Sequence, residues 1–308
     1  MWARVVGLFS WGTMTALDTV ADRQAIWSVS ADKLKAVIDR ARWAVFIFSV
    51  LGAFLATLAS QASPPVSGTA ISADPRTWLA VARAASLAIA TFFTQRLLGQ
   101  ERVMGWVRSR AIAEALKREA YKFTTRTVPY DEPTADVLLD AERKKIEEDG
   151  DDLIEKLVTD ASSGSVPRVM LTLQQYTERR VDGQIAYYRK SAKRYREIAI
   201  WLRRAEFVLA LAATLITAVA SVTGKSAPFF GVKFDIAALT AVLTTVAGAM
   251  LAHVEASRYD FLVTTYLATA RRLEDRKADP GISISTFVND SENIIAAETM
   301  SWVAKWTK

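Results

Sequence analysis

Between positions 187 and 196 aromatic and basic residues interleave: Tyr187, Tyr188, Arg189, Lys190, Lys193, Arg194, Tyr195 and Arg196. Lysine and arginine neutralise phosphates and tyrosine rings stack on bases, so this run has the chemistry of an oligonucleotide contact. Two plainer uses fit the same residues. Basic residues flanking an apolar span set its topology, and they attract anionic lipid headgroups. Arg110 and Lys117 put further cations on an earlier helix and join the candidate ligand set.

Other chemistry is sparse. The chain has no cysteine and one histidine, which excludes disulfide frameworks and Cys/His zinc sites. His253, with Glu255 two residues on, has no nucleophile or metal partner in its pattern. It reads as an interfacial residue that can at most sense pH. Glycine-rich phosphate loops, nucleophile elbows, HExxH and paired-carboxylate signatures are absent from the sequence. No enzyme, cofactor or metal site is expected.

These residues are set among four apolar runs. A bilayer crossing takes about 20 apolar residues, with about 17 as a lower bound. Trp43 to Ser60, Phe207 to Gly224 and Ile236 to Ala252 carry no charge, and Leu79 to Gln95 carries only Arg83. The polar stripe of a soluble amphipathic helix is missing from all four. The runs pair into hairpins through Gln61 to Trp78, with Pro64-Pro65, and Lys225 to Asp235, with Pro228. The fold class expected is all-α: a polytopic membrane protein with two tandem transmembrane hairpins and long cytoplasmic helices.

Charge orients the hairpins. The connectors hold one and two basic residues, whereas Arg96 to Arg204 holds 22 Lys/Arg. The positive side stays in the cytoplasm, so both termini are expected inside. Trp78 and Phe229-Phe230 would mark the outer interface, Trp43 and Trp201 the inner one. Met1 to Gly12 lacks the apolar core of a signal peptide and reads as an interfacial helix. The charged middle separates into blocks, with eight basic and three acidic residues in Arg96 to Arg126, twelve acidic and four basic in Asp131 to Asp160, and nine basic and two acidic in Arg179 to Arg204. Helical spacing runs through these blocks and is broken at Gly164 and Pro167.

Shifting the chain by 161 residues lays Ser30 to Ser60 on Ser191 to Ser221 with seven identities in 31 positions. The shared layout is basic helix, span, short turn, span, charged helix, which reads as a tandem repeat. The domain division that follows is residues 1–29 as an N-terminal segment, 30–126 as the first two-span unit, 127–178 as an acidic linker and 179–308 as the second two-span unit with a closing helix. Small residues recur every fourth position in three spans: Ala237, Ala241, Thr245 and Ala249; Ala210, Thr214 and Ala218; Ser86, Ala90 and Thr94. Such faces pack helices within one protomer or between protomers around a pore, and the pattern leaves both open. Arg83, Thr91, Thr94, Thr240, Thr244 and Thr245 are the pore or packing candidates. Arg83 lies close enough to the outer end to snorkel, or it faces a pore.

Three motifs carry a family resemblance. Trp106, Arg110, Ala111, Ala113, Glu114, Lys117, Tyr121 and Pro129-Tyr130 resemble the helix after the first hairpin in SLATT-domain proteins, the SMODS and SLOG-associating two-transmembrane effectors. Tyr176, Arg180, Val181, Gln184, Tyr187, Tyr188 and Ala192 resemble the lead-in to a second hairpin, and Phe287, Val288, Glu292, Glu298 and Trp302 the closing helix. The resemblance runs from about Leu17 onward, in a tandem two-hairpin version. It implies a pore-forming effector of bacterial antiviral defence, gated by a nucleotide or oligonucleotide from a nucleotidyltransferase, with depolarisation and abortive infection as outcome. The implied setting is the bacterial inner membrane, and the implied partners are lipid, that ligand and further copies of the chain, four as a working number. A non-conducting scaffold or sensor that recruits a cytoplasmic partner is the alternative. A transporter ranks last, since the spans lack buried acids for ion coupling.

Overall fold

A computed structural model describes residues 15–61, 75–159, 164–223, 226–229, 232–279, 281 and 283–306. The expectations for Met1 to Gly12, for Pro64-Pro65 and for the Phe229-Phe230 rings fall outside the described residues and side chains.

Helix α1 runs unbroken from Ala16 to Gln61. Thr15 starts it: its Oγ1 accepts from the Asp18 amide at 3.1 Å and donates to the Asp18 carboxylate at 2.7 Å, so an orphan helical N–H is satisfied. α2 follows (Pro75–Leu97), then α3 (Gln100–Thr124), with Gly99 between them. α4 (Ala135–Glu148) and a 3₁₀ turn (Asp151–Lys156) form the acidic block, and Gly164 and Pro167 lie in a non-helical stretch as expected. α5 (Leu173–Tyr176) opens on a Thr172–Gln175 capping box and passes through a π-helical turn, Thr177–Asp182, into α6 (Gly183–Thr223). α7 (Ile236–Ser257), α8 (Tyr259–Ala278) and α9 (Ile284–Trp306) complete the chain. Arg258, at φ 51°, breaks α7 from α8.

Among the described residues, four helical stretches are long and apolar enough to cross a membrane: Ala16–Gln61, Arg76–Leu97, Leu173–Val222 and Ala238–Ala278. The chain is thus a multi-pass, helical membrane protein. One detail differs from an all-helical reading. The second connector holds two short strands, β1 (Ser226–Phe229) and β2 (Val232–Asp235), paired antiparallel with Ser226 opposite Asp235. Val232-Lys233-Phe234-Asp235 alternates apolar and charged residues, a period-two pattern that favours a strand, and Pro228 is tolerated because each strand of a two-stranded ribbon is an edge. The order of long helix, shorter span and charged helix occurs twice, with corresponding span ends about 160 residues apart.

The chain divides into two compact units, each discontinuous in sequence. The first draws on 1–32, 106–183 and 273–308. Its core joins Leu17, Val20 and Trp27 of α1 to Ile112, Leu116 and Ala120 of α3, closed by Tyr130, Leu139 and Leu153. The start of α1 is therefore a core element. A buried carboxylate fixes it there: Glu147 accepts from Trp27 Nε1 at 2.8 Å, from Arg23 Nε and from Arg143 Nη1 at 2.7 Å.

The second unit, 33–105 and 184–272, holds the spans. Its large apolar side chains face outward, among them Ile47, Phe54, Val81, Phe92, Phe207, Leu215 and Leu251, as expected of surfaces solvated by hydrocarbon. Trp43, Trp78 and Trp201 are exposed as well. α1 and α2 approach closely at Gly52, where an added Cβ would sit 3.0 Å from Leu87 Cδ2. Small residues permit that approach in lipid.

Candidate functional site

Three separate stretches of the first unit meet at one buried charge centre. Arg180 projects from the π turn and is 1% exposed, and Glu292 of α9 is wholly buried. The guanidinium donates twice to that carboxylate, Nε to Oε1 at 2.9 Å and Nη2 to Oε2 at 2.8 Å. Such a fork is the strong form of the ion pair, and burial makes each missing partner costly. Tyr176 Oη donates a third bond to Glu292 at 3.0 Å. The guanidinium lies over the Tyr121 ring of α3, 5.0 Å from its centroid. Its remaining nitrogen, Nη1, is 3.8 Å from Glu114 Oε2 of α3, and neither atom has a hydrogen-bond partner among the described residues.

The aromatic frame is equally specific. Tyr176 meets Tyr121 edge-on at 5.8 Å and Phe287 at 6.2 Å, and Trp106 meets Trp302 edge-on at 4.5 Å. Arg110 lies 5.9 Å over the Trp302 ring. Beside the charge centre is a cleft of about 70 Å³ between α3 and α9, left open by Ala111, Ala115, Ala296 and Thr299 and walled by Ile295 and Met300.

The electrostatics follow from burial and from the neighbours. Burial raises the Glu114 carboxyl, but Lys117, Arg180 and Arg110 outweigh it and hold the group below its ordinary value. Lys117 is pushed down chiefly by burial, against the pull of Glu114. Burial opposes the charge on Arg180 too, yet Glu292 and Glu114 fix the proton more firmly than usual. Tyr176 is raised well above its ordinary value by burial and by the Glu292 charge, so it stays a donor.

The sequence-derived ligand set divides between the units. Arg110 and Lys117 belong to this charge centre. Tyr187, Arg189, Lys190, Lys193, Arg194 and Arg196 lie on α6 in the second unit, all of them exposed. Tyr188 is buried instead, its ring 5.6 Å from Tyr187 and 5.3 Å from Tyr266, so it offers packing and no open stacking face. Tyr195 joins the same aromatic group at 6.2 Å from Tyr266. His253 is buried against Trp43 at 4.5 Å and Phe46 at 5.3 Å.

In the spans, Arg83 is exposed on α2. The threonine hydroxyls bond back into their own helices: Thr91 to the Leu87 carbonyl at 2.9 Å, Thr94 to Ala90 at 2.9 Å, Thr244 to Thr240 at 3.0 Å and Thr245 to Ala241 at 2.7 Å. Thr240 receives a long bond from Thr217 at 3.4 Å.

Arg180, Glu292 and Tyr176 stand in the resemblance motifs, but sequence reasoning gave them no chemistry. The signal available was an arginine and a glutamate at core-facing positions of otherwise apolar helix faces. Comparison with known families places this centre in context. Residues 176–302 match the model for SMODS and SLOG-associating 2TM effector domain 1, and residues 25–137 match the model described as a protein of unknown function (DUF4231). No curated protein and no solved structure matches the chain. The effector match starts at Tyr176, later than the resemblance read from Leu17, and takes in the π turn, Arg180 and Glu292. Residues 176–302 are thus similar to the SMODS and SLOG-associating 2TM effector domain.

Proposed function

We propose that this protein is an oligomeric membrane pore that serves as the effector of a bacterial anti-phage system. A nucleotide or oligonucleotide signal gates it in the inner membrane, and opening depolarises the cell. The observation that carries this reading is an effector-domain match over residues 176–302, which hold two of the four membrane-capable helices, together with apolar windows that in all four are only 6% to 22% buried within one chain. So much uncovered span surface is available for lipid and for further copies of the chain. Both termini lie in the cytoplasm by the charge asymmetry of the connectors, and four copies is the working number. The exposed cations of α6 are the proposed ligand contact, and Arg83 with the threonines of α2 and α7 the proposed conduit face.

A second reading has its own support. Every back-bonded threonine hydroxyl is already satisfied by its own helix, so none of them requires a water-filled lumen. That favours a non-conducting scaffold that recruits a cytoplasmic partner. Purified protein in liposomes separates the two. A pore releases entrapped ions, with a rate that responds to cyclic or linear oligonucleotides; a scaffold releases none under any nucleotide.

A further inference from the structure

The charge centre is built asymmetrically. Arg180 is shared between two carboxylates on two helices, but only Glu292 of α9 is fully engaged. Toward Glu114 of α3 the guanidinium turns an unbonded Nη1 at 3.8 Å, facing an unbonded carboxylate oxygen. Buried polar atoms of this kind are rare and call for an explanation. The cleft of about 70 Å³ that both residues line leaves room for the side chain to move between its two acids.

The backbone at the same place is equally unsettled. Arg180 stands in a π turn, a wide form of helix that is rare and clusters where helices change shape. Gly183 follows immediately, with ordinary helical angles of φ −58° and ψ −42°. A Cβ at Gly183 would meet nothing within 4 Å, so neither packing nor backbone geometry demands glycine. Glycine is the weakest ordinary helix former, and here it loosens a helix for no local structural gain.

We propose that Thr177–Gly183 is a two-position switch, in which Arg180 exchanges Glu292 for Glu114 while the π turn closes into α-helix about Gly183. In the observed position the fork to Glu292 clamps α9 to the turn. Lys277 of α8 holds the turn's last residue, Asp182, at 2.6 Å, and so supports the same position. In the other position Arg180 leaves Glu292 with the Tyr176 hydroxyl alone and releases α9. The two seats have the same chemistry, so the exchange keeps the guanidinium charge paired throughout, which makes a bistable element feasible inside a core.

Hydrogen exchange on the full-length protein in nanodiscs tests this without reference to ion flux, so it stands or falls apart from the pore reading. Glu292→Gln is expected to speed exchange over α9 at least tenfold while α4 keeps its wild-type rate. Glu114→Gln alone is expected to change little. The double variant should lose far more protection than the two single effects combined, because Arg180 then has no carboxylate. Gly183→Ala should slow exchange over the turn at least threefold. Additive Glu292 and Glu114 effects would overturn the exchange between acids, and loosening spread evenly over the first unit would show a plain structural bond. Should Glu292→Gln fail to fold, Gly183→Ala still decides: unchanged exchange at the turn removes the hinge.

Discussion

Single residues in the first unit hold more than their local sequence announces. Gly150 shows no special backbone angle, yet a Cβ there would overlap the Trp27 indole and the Ile112 side chain. Gly150→Ala should therefore cost about 2 kcal/mol of stability, the usual scale of overpacking, read as a shift in the tryptophan-monitored urea midpoint. Glu114 gives a pH test. Its carboxyl is held below the ordinary value of 4.5, so its ionised form stabilises the fold above that pH, and the contribution is lost as pH falls through the lower folded value. Glu114→Gln should flatten the acid limb of the stability profile below about pH 4.5 and leave the limb above it unchanged. A variant with the wild-type acid limb would show that the cations around Glu114 do not act on it. The sequence marked Lys117 as a candidate ligand cation and Glu114 as part of a resemblance motif. It did not mark Arg180 as their neighbour, because that pairing joins residues far apart in the chain, and spacing rules reach only a few turns.

Elements were more legible than sites, for a physical reason. Hydropathy is a local quantity, and the four spans stand where the apolar runs predicted them. Continuity is not local: nothing in the composition of Ala16 to Ser30 says that this stretch is the buried foot of a helix reaching Gln61. The β1–β2 ribbon escaped notice because four-residue strands carry little signal beside a proline. Two predictions belong at this scale. Thr244→Leu with Thr245→Leu on α7 should abolish liposome flux if that face lines a conduit. Flux that persists would assign those hydroxyls to the back-bonding the structure shows. Replacing Arg189, Lys190, Lys193 and Arg194 by alanine should weaken oligonucleotide binding and lower its log–log salt slope by about 3, since each phosphate no longer neutralised removes about 0.7. An unchanged slope would take α6 out of the ligand site.

For the whole molecule, the repeat of helix order at about 160 residues and the two family matches divide the chain in the same sequence, first hairpin and then second. The compact units do not follow that division, since the first unit gathers segments from both halves. The fork between Arg180 and Glu292 spans 112 positions of chain, with the second hairpin between them. A ribosome making this protein therefore releases the arginine long before its glutamate exists. While α6 and α7 are entering the bilayer, Arg180 has Glu114 already made but Glu292 still to emerge from the ribosome. The clamp on α9 closes only after the last membrane segment has been made. Synthesis itself thus orders the events, with insertion first and the lock last, and a chain interrupted before Ile284 would carry its spans with the restraint missing.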